Sequence, residues 1–310
     1  MPKIIVPPFL KAGDKIGVVA PASTIRYEDI IPGINFLKET WNLEVAEGKT
    51  LKSSYNQFSA TDEDRLTDLQ AMLDDSSVKA IIAARGGYGC SRIIDQLDFT
   101  EFKKSPKWIV GFSDLTAILS QLYNLGFASL HAPMVKSMML PGAEEAKDIL
   151  GKILFGELPE YSVAANPLNR TGSANGKLVG GNLCLFTHLI GSDTEIDTDG
   201  KLLFIEDVNE YLYNLDRMLI QLKRSGKLEN LAGLIVGQFS DMRDNTQPAF
   251  GKDANAIVQE HVAGYSFPVC FDFPVGHVSD NKPMIVGMDA FLEVKNDGVR
   301  FRYSVPQENF

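Results

Sequence analysis

Cysteine and histidine are in short supply in this chain, with three of the first and four of the second among 310 residues. Cys90, Cys184 and Cys270 lie far apart, in or beside apolar sequence, and no CxxC pair occurs. That argues against a structural zinc site and against a disulfide framework, and it fits buried free thiols in a reducing compartment. Basic residues are outnumbered, 30 Lys and Arg against 40 Asp and Glu, for a net charge of −10 and a pI of about 5.0. A general binder of phosphate backbones wants a basic face, so no nucleic-acid partner is expected. Long hydrophobic runs are missing too: nothing approaches the roughly 18 apolar residues of a membrane span. The start, MPKIIVPPFLKAGDKIGVV, does not read as a secretory signal. A cytoplasmic protein with no membrane partner is expected. Neither GxGxxG nor a P-loop is present.

What is there is an ordinary globular composition, 45% hydrophobic and 23% charged, over a length that suggests two domains. The first half alternates short apolar runs with amphipathic stretches. KIGVVAP (15–21), LEVAEG (43–48), VKAIIAA (78–84), KWIVGF (107–112) and ASLHAP (128–133) read as strands. Segments 28–41, 61–75, 91–97 and 115–126 read as helices, the second opened by Thr61 and Asp64 in a variant of the capping box. Alternating β and α of this length implies a parallel sheet covered on both faces, whose ligands sit at the carboxyl ends of the strands. The expected fold is α/β, with a domain at 1–155, a Pro/Gly/Asn-rich linker at 156–179 and a second α/β domain at 180–310. In the second domain, 201–208, 231–239 and 268–274 read as strands and 210–226 and 252–262 as helices. FLEVK (291–295) and VRFRYSV (299–305) read as a hairpin over Asn296-Asp297-Gly298.

Four segments end strands of the first half and should face one crevice. Pro21-Ala22-Ser23 is the first, and RGGYG (85–89) is the second, a glycine turn that lets backbone N–H groups approach a ligand. Gly111-Phe112-Ser113-Asp114 puts a hydroxyl on the tip of a strand-to-helix turn, although Ser and Asp there also suit a plain helix N-cap. His131-Ala132-Pro133 is the fourth, with His131 placed to touch a substrate. In the second half, Glu206 ends the strongly apolar run KLLFIE, where a carboxylate needs a partner. That partner is either a salt-bridging Arg217 or Arg224, or an imidazole that the carboxylate orients. His277 lies in the polar loop PVGHVSDNKP, and His188 and His261 fall in helical stretches that suit structural or surface roles. Ser113, Glu206 and His277 each have an ordinary structural explanation. As a set they supply a nucleophile, an orienting acid and a base, in the chain order of α/β-hydrolases but without a G-x-S-x-G elbow.

GFSDLTA, RGGYG, GGNL (180–183), FIEDVNEYLYNLDRML (204–219) and PVGHVSDNKPMIVG (274–287) together resemble the LD-carboxypeptidase family of serine peptidases, the S66 type, over nearly the whole chain. The resemblance implies a Rossmann-like, flavodoxin-like N-terminal domain followed by a C-terminal domain, no cofactor or metal, and a homodimer. It implies Ser113 as nucleophile, Glu206 as acid, His277 as base, and an oxyanion hole from the backbone amides of Asp114 and Gly87. It further implies removal of the terminal D-alanine from murein tetrapeptides in the cytoplasm during cell-wall recycling, with a small peptide as partner. Arg85, or the start of the helix after Ser113, is a candidate to hold the substrate carboxylate, and Arg85 equally suits bracing the loop. A branch of the family cleaves aminoacyl-nucleotide antibiotics of the microcin C kind, and a non-catalytic ligand-binding module is the remaining alternative.

Overall fold

The computed structural model describes residues 4–304. In chain order the elements are β1 (Lys15–Val19), α1 (Ile31–Glu39), β2 (Glu44–Glu47), α2 (Asp62–Asp74), β3 (Val78–Ala83), α3 (Thr100–Lys104), β4 (Trp108–Gly111), α4 (Thr116–Asn124), β5 (Ser129–His131) and α5 (Glu144–Leu154). Then come β6 (Glu160–Ala164), β7 (Gly172–Asn182), α6 (Leu183–His188), β8 (Leu202–Val208), α7 (Leu212–Arg224), β9 (Gly233–Ser240), α8 (Ala254–Val262), β10 (Val269–Cys270), β11 (Met284–Val286), β12 (Asp289–Lys295) and β13 (Gly298–Tyr303). The chain divides into two compact units, residues 1–157 with 279–285, and residues 158–278 with 286–310.

The first unit is built on a six-stranded sheet of order β11-β5-β4-β3-β1-β2. The pairs β1–β2, β1–β3, β3–β4 and β4–β5 are parallel. The order 2-1-3-4-5 is that of a flavodoxin-like sheet, whose topological switch lies between β1 and β3. Its strands are continuous apolar runs because helices cover both faces; Trp108, Ile109 and Val110 of β4 are all buried. Thr61 caps α2 as expected, its hydroxyl accepting the Asp64 N–H. Segment 91–97 is not an α-helix: it forms two short 3-10 turns, Cys90–Arg92 and Ile94–Gln96. Turns this short supply too few hydrogen bonds to propagate a helix.

The second unit holds a seven-stranded sheet of order β10-β9-β8-β7-β12-β13-β6. Strands β10, β9, β8 and β7 run parallel, and β7, β12, β13 and β6 are joined antiparallel. The long β7 serves both halves: residues 172–177 pair with β12 and 178–182 with β8. Stretch 156–179, expected as a linker, therefore contains β6 and most of β7. Its glycines and asparagines carry little strand preference, and the pairing to β12 and β13 supplies what composition does not. The terminal hairpin forms as expected, closing at Lys295 opposite Gly298. The expected strand at 268–274 shortens to Val269–Cys270.

Candidate active site

In the first unit the carboxyl ends of β1, β3 and β4 converge. Phe112 is extended, and Ser113 then turns into the left-handed region at φ +63°. A non-glycine residue held there costs about 1–2 kcal/mol, so the surrounding structure must over-determine it. Ser113 is the N-cap of neither the 3-10 turn it opens nor α4, whose N-caps are Phe112 and Leu115. The helix-cap explanation of this serine therefore falls away.

The glycine turn lies against it. A Cβ on Gly86 would stand 2.9 Å from Ser113 Cβ and 3.2 Å from its Oγ, so only glycine allows this approach. The buried Asp114 carboxylate accepts the Cys90 N–H at 2.7 Å, tying the serine turn to the end of RGGYG. Ser23 Oγ accepts the Tyr88 N–H at 3.1 Å. Arg65 of α2, fully buried, donates from Nη1 to the carbonyls of Pro21 and Gly89 at 2.5 and 2.9 Å and from Nη2 to Asp62. Sequence reasoning missed Arg65, because a charged residue in a charged helix start carries no sign of burial. Arg85 donates from Nη1 to Thr24 O at 3.0 Å and from Nε to Gly86 O at 3.2 Å. His131 has no exposed surface and packs against the Phe112 ring at 5.7 Å. Its expected role as a substrate contact meets a side chain that is fully buried in this structure.

In the second unit, Glu206 near the end of β8 is fully buried, and its Oε2 lies 2.7 Å from His277 Nδ1. Of the two alternatives for its partner, the salt bridge to Arg217 or Arg224 is absent among the described residues; Arg217 lies over the Tyr213 ring. Gly276, at φ +126°, lets the chain pass close to the acid, since a Cβ there would stand 2.8 Å from Glu206 Cβ. Burial is the largest influence on the imidazole and opposes its protonation. The Glu206 hydrogen bond and the charges of Glu206 and Asp207 together outweigh it, and the His277 pKa is raised above 6.5.

Asp207, the neighbour of Glu206, has no role legible in the sequence. It is buried and accepts Asn182 Nδ2 at 2.8 Å, Cys184 N at 2.9 Å and Val208 N at 2.8 Å. Burial, and then the charge of Glu206, push its pKa up to about 7. Asn182 also caps α6 by accepting the Leu185 N–H, a position that an Asn before Leu-Cys-Leu signals. His261 pairs with Asp216 at 2.7 Å and His188 is exposed, in keeping with structural and surface roles. Cys90, Cys184 and Cys270 are free thiols. Burial pushes the Cys184 and Cys270 pKa values up to about 12, which suits inert thiols. Among the described residues no helix is long and apolar enough to cross a membrane.

The first unit holds a serine on a strained turn, and the second holds a buried carboxylate hydrogen-bonded to an imidazole; these are residue types that serine hydrolases use. The family models described as the LD-carboxypeptidase N-terminal and C-terminal domains match residues 16–132 and 175–292. A probable murein peptide carboxypeptidase of Bacillus subtilis is 36% identical over 294 residues, covering 92% of this chain and 91% of its own length. The solved muramoyltetrapeptide carboxypeptidase of Oxalobacter formigenes superposes with a TM-score of 0.84 at 29% identity, over 94% of this chain and 99% of that one. The microcin C7 self immunity protein MccF, solved with aspartyl sulfamoyl adenosine, superposes with a TM-score of 0.87 over 97% of this chain and 99% of its own; at 18% identity it shares the fold. The chain belongs to the LD-carboxypeptidase family of serine peptidases.

Proposed function

We propose that this protein is a serine LD-carboxypeptidase that removes the terminal D-alanine from murein tetrapeptides, working in the cytoplasm as a homodimer. The observation that carries this is the buried Glu206–His277 hydrogen bond at 2.7 Å in a chain of this family. Glu206 accepts the His277 Nδ1 proton, which leaves Nε2 as the basic nitrogen. In the proposed reaction His277 takes the Ser113 proton as its oxygen attacks the amide carbonyl. Backbone N–H groups of Gly87 and Asp114 donate hydrogen bonds to the carbonyl oxygen as it becomes an oxyanion. His277 then protonates the departing D-alanine amine, and water activated by the same nitrogen releases the acyl group from Ser113. Glu206 stabilises the imidazolium in both half-reactions. The names of the Bacillus and Oxalobacter relatives support the murein peptide as substrate.

The test is mass spectrometry of L-Ala-D-Glu-diaminopimelate-D-Ala incubated with wild type and with Ser113→Ala. Release of D-alanine by wild type alone is the expected result. Release by neither rejects the murein substrate and directs attention to aminoacyl-nucleotide amides. Equal release by both rejects Ser113 as nucleophile.

A further inference from the structure

His277 sits on a stretch without regular structure, since β10 ends at Cys270 and the next strand opens at Met284. An imidazole on such a stretch needs an external seat to hold a 2.7 Å bond to Glu206. The seat is the end of β9. Strands β8 and β9 lose register at Glu206: Ile205 pairs with Val236, but Asp207 pairs with Phe239, so Gly237 and Gln238 together oppose one residue. A bulge of this kind bends its strand and re-aims the residues beyond it.

Four contacts from the bulged segment hold the histidine stretch. Phe273 N–H donates to Val236 O at 3.0 Å, and Gln238 N–H donates to Val275 O at 2.9 Å. Gln238 Nε2 donates to Phe273 O at 3.3 Å, and Ser240 Oγ donates to the carbonyl of His277 itself at 3.1 Å. The approach requires glycine at 237, where a Cβ would stand 2.6 Å from Val275 O. Ser240 also faces the other way. It pairs with Val208, and its carbonyl accepts the Asn209 N–H at 2.9 Å, just beyond Glu206 and Asp207. One residue therefore grips both the strand that carries the acid and the stretch that carries the base.

We infer that Ser240 is a positioning residue for the Glu206–His277 pair, its hydroxyl fixing the base against the strand that bears the acid. The inference rests on His277 and Glu206 acting as base and acid in the proposed reaction. Ser240 touches neither substrate nor reacting atoms and acts through the His277 backbone. Its loss should cost turnover rather than binding, since misplacement of the base weakens proton transfer without altering substrate contacts.

The experiment compares wild type, Ser240→Ala and Ser240→Thr by NMR of the His277 ring and by kcat and KM on the murein tetrapeptide. Removing the hydroxyl should weaken or abolish the downfield Nδ1 proton signal of the Glu206–His277 bond. It should also move the His277 titration midpoint to lower pH, because that bond raises it. We expect kcat to fall about tenfold with KM unchanged, and Ser240→Thr, which keeps the hydroxyl, to restore all three readouts. Ser240→Cys, near-isosteric but a weak donor, replaces Ser240→Ala should the latter not fold. An unchanged His277 signal and midpoint in the variant overturn the inference whether or not the enzyme turns over. If wild type releases no D-alanine but the variant still shifts His277, the positioning role stands and the proposed substrate falls.

Discussion

Replacing Glu206 by Gln tests the physics of the site most directly. The substitution keeps the shape of a fully buried side chain and removes its charge. In wild type the His277 pKa is raised, so its contribution to stability is fully present below the unfolded value of 6.5 and is lost as pH climbs through the folded value. Asp207 behaves alike: raised from 3.8 to about 7, it adds stability at acid pH that disappears as pH approaches neutrality. In Glu206→Gln the imidazole keeps its burial, which favours the neutral form, but loses the carboxylate that outweighed it. Asp207 loses its nearest like charge. The first change removes stability at low pH, and the second relieves repulsion of the ionised Asp207 at high pH, so both make the difference from wild type narrow as pH rises. A hydrogen bond to a charged group contributes about 1.5–3 kcal/mol, and the His277 side chain is only 20% exposed, so solvent screening is slight. We expect the variant to be less stable by about 2–3 kcal/mol at pH 5, narrowing to about 1 kcal/mol by pH 8. Urea unfolding followed by far-UV circular dichroism measures this; Trp41 and Trp108 both belong to the first unit, so tryptophan fluorescence would watch the wrong half. In parallel, kcat/KM should fall by about 10²–10⁴, the usual worth of acid–base assistance. A stability gap that stays constant or widens with pH would refute the assignment of Glu206 as the group that holds the His277 proton.

The same geometry sets three further outcomes. Ser113→Gly should be more stable than Ser113→Ala by about 1 kcal/mol in thermal unfolding, because glycine accepts φ +63° without the Cβ penalty; equal stabilities would mean that the turn is not strained. Gly276→Ala should lose about 1–3 kcal/mol and most of its turnover, since the added methyl meets Glu206 at 2.8 Å, and retention of wild-type kcat would count against the tight approach of the two segments. Lys107→Met should destabilise the first unit by about 3 kcal/mol in urea unfolding followed by tryptophan fluorescence. The buried Lys107 ammonium donates to the carbonyls of Met72, Leu73 and Asp75 at 3.1, 2.7 and 2.7 Å, closing the end of α2. A shift below about 1 kcal/mol would show that water replaces it freely.

The sequence by itself determined what short-range patterns decide. The β/α alternation of residues 15–131 dictated a parallel sheet, because continuous apolar runs must be covered on both faces. The Thr61 cap, the Gly226 stop after α7 and the Asn296-Asp297 hairpin were all legible, since each depends on residues within one turn of one another. The sharp bend at Ser113 was legible as a turn, and its left-handed backbone was not. Serine has no intrinsic preference for that region, and tertiary contacts such as the close approach of Gly86 and the Asp114–Cys90 hydrogen bond surround it there.

Tertiary structure alone decided the rest. Glu206 and His277 stand 71 residues apart in sequence, and no local rule says which partner a buried carboxylate takes. The bulge in β9 made that choice by carrying the histidine stretch to the acid. Strands β6 and β7 form in sequence that looks like a linker because β12 and β13 provide their hydrogen bonds. His131, at a strand end read as facing the crevice, is buried where it pairs beside Gly111 on β4. Periodicity and turn chemistry are properties of neighbours in the chain, whereas burial, strand pairing and the choice of ionic partner are set by segments that meet only once the chain has folded.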